Sequence, residues 1–215
     1  TDDPLLVKRL VATELNTPQN SDTQVVIGEL LTYELTLTAP EGILPAAQIV
    51  DTLDAGLAFL DLSSVTFSNP DTDGAGAGDD GIYSIAMTLN ASGNCTNCTA
   101  GTTVGSNPLI SAFGGQDGRR ITFDFGDMVN TNRDNNVDET ITITYRAVAL
   151  NVVGNQSAGL RNNSAALTWT GDSLPAVSAP NVTIIEPVII TAKSVLPTAA
   201  DAGDTVTFTV TLSNP

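Results

Sequence analysis

Nine consecutive residues, Thr140-Ile141-Thr142-Ile143-Thr144-Tyr145-Arg146-Ala147-Val148, run through an alternation of polar and apolar side chains. Period two places one side chain inward and the next outward, the signature of a half-buried antiparallel strand. The same pattern holds in Leu31–Thr38, Ile121–Phe125 and Val206–Leu212. Thr on the outer positions favours the extended backbone through its branched Cβ. Further strand candidates are Leu5–Val11, Ala46–Leu53, Ser63–Phe67, Ile82–Leu89, Ala165–Trp169 and Asn181–Ala192. No segment carries a 3.6-residue apolar stripe over three turns. Many short strands separated by polar turns predict an all-β protein, an Ig-like antiparallel β-sandwich.

Composition agrees. Asp outnumbers Glu three to one, and only two lysines occur, Lys8 and Lys193. Glu and Lys are the usual fillers of helix surfaces, whereas Asp, Asn, Gly and Thr serve turns and strands. With 41% hydrophobic residues in a chain of 215, a sandwich core can be built. Eight basic against 24 acidic residues argue against nucleic acid or anionic lipid as partners. No apolar run approaches a membrane span. No charged-then-apolar leader opens at Thr1, so any signal peptide is expected to be gone already. Histidine is absent, which removes the commonest general base and metal ligand.

The chain repeats itself. Ile27-Gly28-Glu29-Leu30-Leu31-Thr32-Tyr33-Glu34-Leu35-Thr36-Leu37-Thr38-Ala39-Pro40 aligns with Ala202-Gly203-Asp204-Thr205-Val206-Thr207-Phe208-Thr209-Val210-Thr211-Leu212-Ser213-Asn214-Pro215. Upstream, Asp3-Pro4-Leu5-Leu6-Val7 echoes Glu186-Pro187-Val188-Ile189-Ile190, and the two lysines fall in the corresponding strands. This divides the chain into a full unit over 1–180 and the first strands of a second over 181–215. The Pro-rich stretch Ser173–Pro180 connects them and should be extended and stiff.

The pattern Gly-acid-x-x-Thr-aromatic-x-Thr-x-Thr, followed by Val50-Asp51-Thr52-Leu53-Asp54-Ala55-Gly56-Leu57-Ala58-Phe59, resembles the repeats called domain of unknown function 11. Asn163-Ser164-Ala165-Ala166-Leu167-Thr168 resembles their closing strand. The similarity covers 5–60, 120–170 and 186–215, and the stretch 69–118 reads as an insertion. It implies an Ig-like module of the kind strung along large bacterial and archaeal cell-surface proteins, with similarity to isopeptide-forming fimbrial modules. In those a first-strand Lys joins an Asn of the closing strand, helped by a buried acid. Carried over, Lys8 is the amine and Asn163 or Asn162 the amide, with Asp51, Glu34 or Glu139 as the acid. The chemistry needs a desolvated, neutral amine and a protonated carboxyl that polarises the amide. Read without the resemblance, Lys8 is an edge-strand lysine that discourages aggregation.

Two acidic loops suit calcium, which takes six to eight hard oxygen ligands. One is Asp71-Thr72-Asp73-Gly74 leading to Asp79-Asp80-Gly81. The other is Asn130–Glu139, where Asn130, Asn132, Asp134, Asp138 and Glu139 are the expected ligands. Neither has EF-hand spacing, and turn chemistry alone also explains such residues. Cys95-Thr96-Asn97-Cys98 is read as a disulfide pinning a loop tip, since zinc lacks two further soft ligands and no βαβ context supports a redox pair. Sequons stand at Asn90, Asn94, Asn97, Asn155, Asn162 and Asn181 and mark candidate glycan sites, although a chain rich in Asn, Ser and Thr produces several by chance. Trp169 and Tyr145 read most simply as core.

Residues 186–215 expose an apolar face if nothing follows, with Ile184, Ile185, Val188, Ile189, Val206, Phe208, Val210 and Leu212 needing cover. Strand addition by another copy supplies it and yields a fibre. The alternative is a longer tandem array, which the duplication of the unit's start favours. The expected function is a non-catalytic structural module of an extracellular fibre, stalk or surface layer at the cell surface. Its partners are further copies of itself or neighbouring repeats. The competing reading is an adhesin that binds surface glycans or another cell through the 69–118 insertion.

Overall fold

The computed structural model describes residues 3–18, 20–71, 81–90, 92–98, 101–102, 118–132 and 138–213. Among them there are strands and no helix. In chain order these are β1 (Leu5–Thr13), β2 (Gln24–Val25), β3 (Leu30–Thr38), β4 (Gly42–Leu53), β5 (Leu57–Phe67), β6 (Ile82–Ser84), β7 (Gly101–Thr102) and β8 (Arg120–Asn130). Then follow β9 (Thr140–Ala149), β10 (Leu160–Arg161), β11 (Asn163–Trp169), β12 (Asp172–Ser173), β13 (Val177–Ser178), β14 (Val182–Ile184), β15 (Ile190–Leu196) and β16 (Thr207–Ser213).

The chain is an Ig-like antiparallel β-sandwich followed by a hairpin. One sheet has the order β1-β3-β9-β5, the other β12-β11-β4-β8-β6, with β13 on β11 and β7 on β8. A small seam, β10-β14-β2, contains a parallel pair between β14 and β2. The alternating segments of the first unit behave as their pattern predicts, whereas β16, alternating in sequence, is a strand exposed along its whole length. Along β3 and β9 every second residue is buried, and the intervening Thr side chains are half-exposed. Leu35, Ile143 and Tyr145 from one sheet share a single core with Ile49, Phe123 and Leu167 from the other. Each such side chain contributes about 1.5–3 kcal/mol through removal from water.

One irregularity decides which face of β4 carries what. Leu44, Ala47, Ile49, Asp51 and Leu53 are buried, so the inward positions change parity between 44 and 47. The cause is a bulge: the β4–β8 register shifts between Leu44 and Ala47 and again before Gln48, with Ala46 at φ 52° and Gly126 at φ 58°. An extra residue moves everything beyond it to the opposite face. Without it, a strand in phase with Leu44 would turn Asp51 outward.

Contacts divide the chain at Thr1–Ile185 and Glu186–Pro215. The division falls a few residues after the connector, because β14 pairs with β10 and β2 and carries Val182 and Ile184 into the first core. Ile184 is therefore covered already, contrary to its expected exposure. The single strand expected over Asn181–Ala192 is two, β14 and β15, and the one expected over Ile82–Leu89 stops at Ser84. In the second unit β15 and β16 form an antiparallel hairpin. Val188, Ile189, Phe208, Val210 and Leu212 are exposed there.

Candidate intramolecular crosslink site

Lys8 lies on β1, the edge strand of its sheet, yet points inward. Leu6 and Lys8 are buried while Leu5, Val7 and Arg9 are exposed. Asp51 is inward on β4 between Ile49 and Leu53. Tyr145 is inward on β9, and Asn163 begins the inward row of β11 that continues with Ala165 and Leu167. Two strands of each sheet thus send one polar side chain into the same interior.

These four groups meet. Lys8 Nζ forms a salt bridge with Asp51 Oδ2, both side chains without exposure. Lys8 Nζ also donates to the Tyr145 hydroxyl at 2.9 Å. That hydroxyl donates to Asp51 Oδ2 at 2.7 Å and accepts from Asn163 Nδ2 at 2.6 Å. The phenol oxygen, with one hydrogen to give and two lone pairs, is fully used. Lys8 Nζ further lies 5.1 Å from the ring centroids of both Tyr33 and Tyr145. Two buried oxygens, Asp51 Oδ1 and Asn163 Oδ1, have no hydrogen-bond partner among the described residues.

Burial governs the charges. It pushes Lys8 below the usual amine range, with the Asp51 charge opposing. It pushes the Asp51 carboxyl up, with Lys8 and the Tyr145 hydroxyl opposing. Each shift favours the neutral form, because a charge removed from water loses its solvation. Tyr145 is raised well above the usual phenol range by burial and then by the Asp51 charge. A neutral amine, a carboxamide and a protonated carboxyl in a dry interior are the components of an amide exchange.

Of the alternatives for this site, Asn162 is half-buried and donates through Nδ2 to the Ala179 carbonyl and Asn181 Oδ1. Glu34 pairs with Arg9 at 2.7 Å. Glu139 is buried and accepts from Asn130 at 3.1 Å. None of the three has a hydrogen bond to the Lys8 amine among the described residues. Tyr145 is where core packing would place it, but its hydroxyl joins the other three groups. The available signal was its inward position, since a buried phenol needs a partner.

Of the other candidate residues, Asn130, Asn132 and Glu139 are linked by hydrogen bonds. In the second acidic loop, Asn130 is buried and donates to the Ala39 carbonyl and Glu139, and its Oδ1 accepts from the Asn132 amide. Asp138 is exposed. Asp71 is buried, and Asp73, Asp79 and Asp134 lie outside the described residues. Among the described residues no group of three or more His, Cys, Asp or Glu is placed to hold a metal ion. Cys95 and Cys98 are joined by a disulfide, Cα atoms 5.6 Å apart. The Cys95 amide donates to the Val65 carbonyl, which docks this turn on β5. Much of the 69–118 insertion falls outside the described residues. Asn90, Asn94, Asn97 and Asn181 are exposed, whereas Asn155 is fully buried and donates to the Gly56 and Leu150 carbonyls.

No protein-family model matches the chain, and no curated protein matches it. Solved structures similar to it include BcpA, the major pilin subunit of Bacillus cereus, at 13% identity and TM-score 0.42, covering 88% of this chain and 42% of that one. The full-length major pilin SpaD from Corynebacterium diphtheriae is similar at 14% identity and TM-score 0.39, over 94% of this chain and 39% of that one. The full-length RrgB pilus protein from Streptococcus pneumoniae is similar at 13% identity and TM-score 0.42, over 100% of this chain and 34% of that one. This chain spans less than half the length of each of these three.

Proposed function

We propose that this chain is a non-catalytic structural module of an extracellular fibre, stalk or surface layer, its sandwich closed by an isopeptide bond between Lys8 and Asn163. The observation that carries the reading is the buried contact of Lys8, Asp51, Tyr145 and Asn163. The neutral amine attacks Asn163 Cγ, the Nζ–Cγ bond forms, the Cγ–Nδ2 bond breaks, and ammonia leaves. Protonated Asp51 is the donor that developing negative charge on Asn163 Oδ1 requires. β1 is the first strand of the sandwich and β11 its last long one, in opposite sheets. A covalent tie between them carries tension that hydrogen bonds and packing would otherwise bear.

Head-to-tail joining to further copies has its own support. Lys8 pairs across β1–β3 with Leu35, and Lys193 pairs across β15–β16 with Val210. Leu35 and Val210 are equivalent in the repeat. So are Tyr33 and Phe208, and each lysine lies over its aromatic ring, at 5.1 and 4.8 Å. The hairpin thus begins a second unit with the amine in the same register.

Intact mass spectrometry of the purified chain tests the bond. The expected mass is short by one ammonia, with the full mass restored in Lys8→Ala and Asn163→Ala. A folded chain of unmodified mass overturns the crosslink and leaves Lys8 as an inward-facing guard of an edge strand. Electron microscopy of native material tests the fibre, which requires extended assemblies rather than isolated globules.

A further inference from the structure

Exchanging one amide for another moves protons as well as the carbonyl bond. The attacking Lys8 Nζ, cationic once bonded to Cγ, must lose a proton. The departing Asn163 Nδ2 must gain one to leave as ammonia. In a water-excluded interior some side chain must carry it. Asp51 touches Lys8 and Tyr145 through Oδ2, but among the described residues the hydrogen bond of Asn163 Nδ2 is to Tyr145. The Tyr145 hydroxyl bonds both nitrogens, at 2.9 and 2.6 Å.

We propose that Tyr145 is a catalytic residue of this self-reaction, relaying a proton from the attacking nitrogen of Lys8 to the leaving nitrogen of Asn163. The proposal rests on the reading of Lys8 and Asn163 as the reacting pair. In the resting arrangement the phenol proton is held by Asp51 Oδ2, and its two lone pairs face the two nitrogens. After attack, Nζ gives its extra proton to the phenol oxygen. The phenol's own hydrogen passes to Nδ2, the Cγ–Nδ2 bond breaks, and the electron pair on Oδ1 restores the carbonyl. Lysine has lost one hydrogen, ammonia has carried it away, and Tyr145 and Asp51 end as they began. The hydrogen need only rotate about the Cζ–O bond to change partner. Burial keeps the group a neutral phenol, able to accept and to donate. The ring is held by packing that does not involve the hydroxyl: Tyr33, Phe59 and Phe123 lie at centroid distances of 5.8, 5.8 and 6.0 Å.

Tyr33 supplies the control. Its ring neighbours Tyr145, and its buried hydroxyl has no hydrogen-bond partner among the described residues. Chains made by cell-free synthesis into urea and diluted into buffer would be followed by mass for ammonia loss, with strand content by circular dichroism. Tyr145→Phe is expected to fold and to react at least about 100-fold more slowly, the low end for general acid–base catalysis. Tyr33→Phe is expected to react at the wild-type rate. Folded Tyr145→Phe reacting at that rate overturns the relay, as does equal slowing by both variants, which would mark a packing effect. A measurement on the unaltered chain covers the case in which Tyr145→Phe does not fold. Ammonia loss in heavy water should slow, and its curved dependence on deuterium fraction should report more than one proton in flight. An unchanged rate there overturns the relay. If the unaltered chain folds and never loses ammonia, the crosslink itself fails, an outcome distinct from failure of the relay alone.

Discussion

Lys8 and Asp51 come from different sheets and meet with neither side chain exposed to water. Removing one member of such a pair leaves the other buried without its partner, whereas replacing both by apolar groups is often neutral. In an Asn163→Ala background, where no crosslink forms, Lys8→Met should cost about 1–3 kcal/mol, the cost of a buried carboxyl losing one of its hydrogen-bond donors. Adding Asp51→Leu should recover most of it. Urea denaturation of the three chains checks this, and equal stabilities would contradict it.

The crosslink predicts a larger effect from one amide. A bond between Lys8 and Asn163 closes a loop over most of the first unit. In the chain-entropy model, closing a loop of about 100 residues or more contributes about 5 kcal/mol. Asn163→Ala should therefore lower the unfolding free energy of the sandwich by that order, seen as a lower denaturant midpoint. The comparison is with the ammonia-depleted wild-type chain in the same guanidinium series.

Charge burial sets a pH dependence in the uncrosslinked Asn163→Ala chain. Asp51 holds its proton more tightly folded than unfolded. Its support for the fold is complete below its ordinary value of 3.8 and is lost as pH rises through the raised folded value. Lys8 works in the opposite sense: its support exists above 10.5 and is lost as pH falls through its lowered folded value. Adding Asp51→Asn should flatten the acid side of the stability curve. Urea midpoints across a pH series read the slope, and an unchanged slope would remove Asp51 as its source.

Gly56 predicts a local failure far from any chemistry. Its φ is +106°, and a Cβ there would come within 2.2 Å of Asn155 Oδ1. Asn155 in turn donates to the Gly56 carbonyl at 2.9 Å and accepts from Arg161 Nε at 2.7 Å. Gly56→Ala should cost more than about 1 kcal/mol, combining backbone strain with a displaced buried amide. Asn155→Ala, which leaves the Gly56 and Leu150 carbonyls without that donor, should cost about 1–3 kcal/mol. Thermal melts of both variants are the check.

The alternation in the sequence predicts the long strands, and it carries information about the site too. Asp51 is in phase with Ile49 and Leu53 and reads as inward from local pattern, whereas Lys8 does not, since Leu5, Val7 and Val11 on one parity are as apolar as Leu6 and Leu10 on the other. The meeting of Asp51 with Lys8 is a property of two facing sheets, and no local pattern encodes which strands oppose. The bulge at Ala46 was hidden for a related reason: it exists through pairing with β8, and Pro45-Ala46 carries no glycine signal at that point. The repeat in the sequence assigns β14 to the second unit, because its partners in the first, β2 and β10, are short and lack alternation of their own. Aligning Pro4 with Pro187 sets Lys8 against Thr191 rather than Lys193. Only the pairing registers bring the lysines into line, because the two hairpins differ in the length between their strands.

The four polar side chains arrive on β1, β4, β9 and β11, and β11 comes last in the chain. Until it has docked, the amine has no amide to meet. On the proposed chemistry, ammonia then departs once and does not return. A chain that unfolds afterwards still carries the tie, and a chain that never folded lacks it. Weighing a population would thus sort it by history rather than by present shape, and the mass of each molecule would record whether it had ever been native.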